Sequence, residues 1–599
     1  LREELAICPF IAPLTCTLRM HAASDERSIF AAGDVGGEFE PIEPVVAAAT
    51  AGRFLLSGPA GGPAATIEAP GWRLDHDALR IDAQAEPGET WRTSVSVVVD
   101  RDGRASAETD EHALLDVETS PPELSTVIAT GRADLRALTI PVDELRVFGA
   151  GSPFFLALFG RDSLVTGIQA LLDTPDRLTD ILTVLARRQA TTSDDLTRAE
   201  PGRILHELRL GRAGVFGVAP RTAYYGAVDT AALFVVALGE ALRWGASRDT
   251  IARLLPAAHA ALEWCRRYGD VDGDGFVESV PHPSGLTNLG WKDSADSMVD
   301  VDGATLIGRM ALPEVQAYWY RAARTIADIE QHLGLGDGAA ALAEAARLAD
   351  EIAASFLFDS AAGPFVGLAL DDGKRLLTVR ASNAGHVLWS GVLEPAVAVP
   401  VARQLADPDL FSGWGVRTLS STAAGYNPFG YHRGGVWPHD TGFALHGAAR
   451  YGVGDVVRRL AGGLVALGIA QGGQLPELVS GLDRADVPLP MPYPAACRPQ
   501  AWAAGASLTV LRGLLGLEPD VPNGVIRVHP MLHPGHTVTL RGLRCGTHEI
   551  SLTASGTEVV DVDAPSLDVV TGPAAVLATT DWCPGGQPLA SGGSTPIPS

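Results

Sequence analysis

The hydrophobic pattern of the chain changes twice. From about residue 8 to 140, runs such as "DALRIDAQAEPGE" and "TSVSVVVDRDG" alternate apolar and polar positions and stop at Asp-Gly or Pro-Gly, which predicts strands joined by turns. From about 145 to 518 the spacing becomes helical, as in "AVDTAALFVVALGEALRW", "GAAALAEAARLADEIAASFLF" and "VVRRLAGGLVALGIA". Several of these segments are apolar nearly all round, the pattern of helices packed between other helices. Alternation returns in "GVIRVHPMLHPGHTVTLRGLRCGTHEISLTAS", and the closing "GGQPLASGGSTPIPS" has the composition of a flexible tail. The predicted organisation is multidomain α+β: a β-sandwich-like domain over 1–140, a helical domain over 145–518, a small β segment over 519–575 packed on the helices, and a tail over 576–599.

With 599 residues, 46% hydrophobic and 20% charged, the chain has material for more than one soluble globular domain. Its formal net charge of -25 repels phosphate backbones and anionic membrane surfaces, and no basic run offsets it. Nucleic acid and membranes are therefore not expected as partners. The longest apolar candidates, such as "AALFVVALGEAL", break at Gly239 and Glu240 before reaching membrane-spanning length. The start "LREELAICPFIAPLTC" lacks a charged region followed by a full apolar one, so no secretory signal is read and a cytoplasmic protein is expected. Cys8, Cys16, Cys265, Cys497, Cys545 and Cys583 are scattered without a C-x-x-C pair, which fits neither a disulfide framework nor a zinc site.

The unusual clusters fall between the helical segments: "FGRDSL", "GWKDS", "SGWGVRTLS", "YHRGGVWPHD" and "GQLPELVSG". They combine tryptophan with Arg, Asp, Glu and His. That mixture suits a carbohydrate, whose apolar faces stack on indole while its hydroxyls take charged hydrogen-bonding groups. Lys292, in "GWKDS", is one of only two lysines; Lys374 is the other. A compact ammonium retained among arginines points to a built site.

Glycoside hydrolysis needs one carboxyl group to protonate the leaving oxygen and another to activate water or attack carbon. Asp293 is the candidate acid, with Trp291 and small neighbours able to desolvate it. Lys292 opposes this if its ammonium approaches the carboxyl; in extended backbone the two side chains point apart. Asp293 or Ser294 capping a following helix is the structural alternative. Glu477, in the apolar "LPELV", is the candidate base, with an ion pair to Arg484 as its alternative. Arg161 and Asp162 either hold adjacent sugar hydroxyls or form a salt-bridged helix start. Trp437 is either a sugar platform or a core residue. His432, His439 and Asp440 match no helical ligand spacing, so no metal is expected there.

"DVDGDGFVES" opens like an EF-hand with Asp270, Asp272 and Asp274, but the position of the bidentate glutamate is Pro281. A looser calcium loop, with Glu278, is the remaining cofactor expectation; its alternative is a polar turn.

Taken with "ILHELR", "YYGAVDTAALF", "SNAGHVLWSG" and "CRPQAWAAGA", these loops resemble the glucosidase part of glycogen debranching enzymes, the amylo-alpha-1,6-glucosidase-like proteins. The resemblance implies an (α/α)6 toroid over roughly 145–518, with the loops at one end forming a pocket. It also implies an inverting hydrolysis with Asp293 as acid and Glu477 as base. Arg161 and Asp162 would bind the terminal sugar, with Trp291, Lys292, Trp437, His439 and Asp440 around the pocket. The chain has no room for the barrel-type transferase domain of two-activity debranching enzymes. The expected function is exo-acting release of a terminal sugar, glucose first, from α-glucosides. A phosphorylase on the same scaffold, a hydrolase of another small glycoside and a non-catalytic glycan-binding protein are the alternatives.

Overall fold

A computed structural model describes residues 115–208, 223–283 and 285–572, and in the N-terminal part residues 2–7, 14–20, 45–50, 53–57, 65–68, 70–75, 78–85 and 91–99. The tail expected over 576–599 lies outside the described residues. The chain forms two compact units, one of Leu1–His112 with Gly211–Pro220 and one of the remainder.

In the first unit the described strands form two antiparallel sheets. The larger has the order Arg2–Ile7, Trp91–Val99, Ala65–Glu68, Arg53–Ser57, Val45–Thr50; the smaller has Leu14–Met20, Ala78–Ala85, Arg73–Asp75.

The second unit begins earlier than the boundary expected near 140. Asp116–Ser120 is the edge strand of a four-stranded sheet whose other strands are Thr537–Cys545, His548–Ser555 and Glu558–Asp563. It is followed by a helix, α1 (Glu123–Ala137), that buries Leu124, Val127, Ile128 and Leu135. Those positions have helical spacing, which the β-rich stretch before them obscured.

Eleven further α-helices follow among the described residues: α2 (Gly160–Gln169), α3 (Pro175–Arg187), α4 (Thr230–Arg243), α5 (Arg248–Trp264), α6 (Pro313–Leu333), α7 (Ala339–Ser355), α8 (Asn383–Ser390), α9 (Pro395–Gln404), α10 (Pro438–Arg450), α11 (Gly454–Ala470) and α12 (Ala501–Leu515). The even-numbered helices touch one another in sequence from α2 to α12, and α12 returns to α2. Odd-numbered helices pack against this closed cycle.

Burial follows the sequence pattern. α2, α8 and α12 are buried along their whole length, and α4 and α10 are buried apart from Arg243 and Arg450. By contrast α5 buries one stripe, Ile251, Leu254, Leu255, Ala258, Ala261 and Leu262. α7, read from its alanines as apolar nearly all round, also buries only one stripe, Ala341, Ala345, Leu348 and Ile352. Alanine loses little by facing water, so an alanine-rich helix does not report its own depth as a leucine-rich one does.

Close packing begins where α2 does. A Cβ on Gly160 would lie 1.9 Å from the Leu205 carbonyl oxygen, so only glycine lets the start of α2 press against that backbone. Among the described residues no helix is long and apolar enough to cross a membrane.

Candidate active site

Side-chain contacts join the N-terminal ends of the cycle's helices. Arg161 in the first turn of α2 donates through Nε to Asp229 Oδ2, at the N-cap of α4, at 2.6 Å. Asn383 at the start of α8 donates to Glu314 Oε1 at the start of α6 at 2.8 Å. His386 of α8 meets Asp440 of α10 at 2.9 Å, and His439 of α10 lies parallel to Trp502 of α12 at 3.8 Å. Unpaired N–H groups at a helix start carry partial positive charge, which favours the carboxylates Asp162, Asp229, Glu314 and Asp440 at these positions.

The loop "NLGWKDSADS" lies over these helix ends. Asn288 donates to the Ser294 carbonyl at 2.7 Å and to Ser297 Oγ at 2.9 Å, and Ser297 Oγ donates to the Lys292 carbonyl at 2.7 Å. Lys292 itself is buried. Its ammonium donates to Asn383 Oδ1 at 2.5 Å and to the Thr418 carbonyl at 2.7 Å, and it lies 5.2 Å from the Trp291 ring. The lysine therefore ties the loop to α8 and to the "SGWGVRTLS" segment. Burial lowers its pKa to about 8, against the raising influence of Asp440 and Glu314.

Asp293 faces the other way. Its side chain keeps 31% exposure, and Oδ2 lies 3.6 Å from Arg161 Nη1. Desolvation raises its carboxyl to about 6; Arg161 opposes the rise and Asp229 adds to it. No helix begins at this loop, so Asp293 and Ser294 are not helix caps. Ser294 instead meets His432 Nδ1 at 2.9 Å through Oγ.

Glu477 is almost fully buried. Tyr431 donates its hydroxyl to Oε1 at 2.5 Å, and the Cys497 backbone N–H donates to Oε2 at 2.6 Å. Desolvation outweighs these donors and raises the carboxyl to about 7, with the charge of Asp293 adding to the rise. Arg484, the ion-pair partner weighed from the sequence, lies over the Trp414 ring at 4.6 Å instead. Asp162, buried in the first turn of α2, is raised to about 8, first by desolvation; Arg161 opposes this, while Asp293 and Glu477 both contribute. Each of these two carboxylates acts electrostatically on Asp162, so three acids from α2 and two loops face a common region.

The aromatic residues form a packed layer around these acids. Trp291 stacks on His386 at 5.4 Å and meets His432, Trp437 and His439 edge-on. Trp437 is 1% exposed, with His432 parallel to its ring at 5.0 Å and its indole N–H bound to the Tyr431 carbonyl. The face under His432 is thus no sugar platform. Lys292 and Asp440 are buried as well: Lys292 is bonded to Asn383 and Thr418, and Asp440 meets His386 through Oδ1 while its Oδ2 has no hydrogen-bond partner. Both ring nitrogens of His439 are likewise buried with no hydrogen-bond partner.

Sequence reading missed Asp229, Tyr431, Cys497, Asn383 and Glu314. Four of them lay in segments already singled out, Asp229 in "YYGAVDTAALF", Tyr431 in "YHRGGVWPHD", Asn383 in "SNAGHVLWSG" and Cys497 in "CRPQAWAAGA"; Glu314 lay in none. In the aspartate-rich loop, carboxylate oxygens of Asp270, Asp272 and Glu278 lie within 4.8 Å of one another. The Lys374 ammonium stands among this group, 2.9 Å from Asp272, 2.5 Å from Asp274 and 2.6 Å from Glu278. Arg309 stands beside it, 3.1 Å from Asp272 and 3.9 Å from Glu278.

Comparison with solved structures places the fold among glycosidases. The mannosylglycerate hydrolase of Thermus thermophilus, solved with Tris, superposes with a TM-score of 0.51 at 14% identity over 64% of this chain and 100% of that one. A GH78 rhamnosidase from Bacillus sp. GL1 gives 0.53 at 12% identity over 89% of this chain and 55% of that one. A structure described as a sialidase gives 0.54 at 10% identity over 86% and 54%. The family model described as the mannosylglycerate hydrolase MGH1-like glycoside hydrolase domain matches residues 169–475, and the chain belongs to that family. The glycoside hydrolase class expected from the sequence is thereby shown, in a family related to the amylo-alpha-1,6-glucosidase-like proteins. No curated protein gives a significant sequence match.

The buried lysine yields a prediction with a definite sign. Its pKa is about 8 in the fold against its ordinary 10.5, so between those values the unfolded chain binds more protons and stability rises with pH. From pH 8 to 10, wild type should gain about 2 kcal/mol relative to Lys292→Met in urea denaturation. A constant difference between the two proteins would show that the lysine does not titrate as a buried group.

Proposed function

We propose that the chain is an exo-acting, inverting glycoside hydrolase that releases a terminal α-linked hexose, with Asp293 as general acid and Glu477 as general base. The observation that carries this reading is the contrast between the two carboxyl groups. Both oxygens of Glu477 are held by donors, which fixes the orientation of a base. Asp293 keeps an exposed side, where a leaving oxygen can reach it. In the reaction the Asp293 proton goes to the glycosidic oxygen as its bond to the anomeric carbon breaks. Water attacks that carbon from the opposite face and gives its proton to Glu477.

Without a sugar, Glu477 at about 7 holds its proton more tightly than Asp293 at about 6, the reverse of the order these roles use. A bound aglycone removes water from the exposed side of Asp293 and raises it, so access assigns the roles here more securely than proton affinity. Asp162, protonated at neutral pH, donates to a sugar hydroxyl oxygen, and Arg161 holds Asp293 in place. The cyclic order of the six inner helices supports the (α/α)6 toroid expected over 145–518. Family membership moves the first substrate to test from branched glucans to mannosylglycerate, with the glucosyl analogue beside it. Glucose release from α-glucosides stays within the same reaction class.

Asp293→Asn and Glu477→Gln should each reduce kcat by at least about a hundredfold while the protein stays folded. An aryl or fluoride leaving group, which needs no acid, should restore Asp293→Asn but not Glu477→Gln; restoration of Glu477→Gln alone would exchange the roles.

The pH dependence follows from the same pair. One proton must be shared between them, so kcat/KM should fall on the acid side of about 6 and on the alkaline side of about 7. A profile flat from pH 5 to 9 would remove both carboxyl groups from the rate-determining chemistry.

A further inference from the structure

The helices whose N-termini meet at the active site carry arginines at their other ends. Arg243 ends α4 and Arg450 ends α10. With Arg321 and Arg324 of α6 they line a cavity of about 70 Å³, together with Glu240, Tyr320, Asp328 and the α8 terminus at Ser390 and Gly391. Arg324 lies 11 residues beyond the start of α6 at Pro313 and Arg450 lies 12 beyond the start of α10 at Pro438, so at about 1.5 Å per residue they stand about 16–18 Å from the helix starts at the candidate active site.

Four guanidinium groups face two carboxylates here, in a chain with 71 acidic and 46 basic residues. One of the two acids is already neutralised. Glu240 accepts from Arg321 at 2.6 Å and from Arg512 at 2.9 Å, with Arg243 at 3.8 Å. The other, Asp328, is pushed up to about 7 by burial, so near neutral pH it opposes an anion only in part.

Arginine at a helix C-terminus ordinarily answers the unpaired carbonyls of the last turn. Here that role for α8 falls to Arg321 in the middle of α6, which donates to the Trp389 carbonyl at 2.8 Å. Arg324 and Arg450 make no hydrogen bond or salt bridge among the described residues. Room for the Arg450 guanidinium is made by Gly391, where a Cβ would fall 2.6 Å from its Nε. Two guanidinium groups with no hydrogen-bond partner in one half-enclosed cavity, Arg324 acting only through its charge on Asp328, form a receptor for an oxyanion, since each offers a planar set of donors. At roughly 12–15 Å³ per water, the cavity holds about five water-sized bodies, enough for a phosphoryl group.

We propose that this cavity is a binding site for a phosphoryl oxyanion, free phosphate or a phosphate ester, held by Arg324 and Arg450. The site is separate from the glycosidic chemistry and does not depend on the roles given to Asp293 and Glu477.

The test is isothermal titration of the full chain with sodium phosphate at ionic strength held constant with chloride. Saturable binding of one phosphate per chain is expected, weakened at least about tenfold in Arg324→Gln and in Arg450→Gln. Hydrolysis of a glycoside should be unaffected by either change when phosphate is absent. A parallel titration with a hexose phosphate separates the two sources. Competition with phosphate, lost in the same variants, identifies a phosphate-ester site; phosphate binding without competition identifies a site for the free ion. The proposal is overturned if phosphate gives no saturable heat, or if it binds both variants as tightly as wild type. Should one variant fail to fold, the other still decides.

Discussion

Convergence of helix N-termini is the constraint on which the rest of the site depends. Each helix of the cycle begins with N–H groups that have no partner inside the helix, and these starts are brought together at one end. Those N–H groups offset part of the cost of burying acidic side chains, although desolvation still raises Asp162 to about 8 and raises Glu314. Asp162, Asp229, Glu314 and Asp440 stand in or next to the first turns of four helices, and all are buried. The fold thereby tolerates a concentration of carboxylates that would otherwise repel one another. Arg161 and the Lys292 ammonium complete the balance, one toward Asp229 and Asp293, the other toward Asn383 and Thr418.

The two acids proposed for catalysis do not stand at helix starts. Asp293 and Glu477 come from loops, which leaves their environments to be set by neighbours rather than by a helix dipole. Burial raises both, one beside an arginine and the other between a tyrosine hydroxyl and a backbone N–H. Lys292 is the device that makes a loop rigid enough for this. An ammonium in low dielectric costs stability at neutral pH, as its lowered pKa records, so its retention answers to position and not to stability.

Much of this was legible in the sequence, and the failures have physical causes. Clusters such as "FGRDSL" and "GWKDS" mark the site because tryptophan, arginine and aspartate seldom gather in loops without a ligand. The distinction between a side chain that touches the sugar region and one that supports it was not legible. Lys292, Trp437 and Asp440 looked like pocket residues, yet their partners Asn383, His432 and His386 are set by the fold and not by the motif each belongs to. Pairing of that kind leaves no local pattern. The helix α1 escaped notice because its apolar stripe is short and follows a long β-rich stretch. α7 was placed too deep because alanine suits both core and surface.

The anomeric configuration of the first sugar released tests the account most directly, because it reports whether water enters opposite the leaving group between Asp293 and Glu477. Proton NMR of the chain with mannosylglycerate and its glucosyl analogue, followed during the first turnovers, is the measurement. The account predicts that the β-anomer appears first and that the α-anomer follows only by mutarotation. Initial release of the α-anomer would contradict it, since retention requires one of the two carboxylates to attack carbon rather than to activate water.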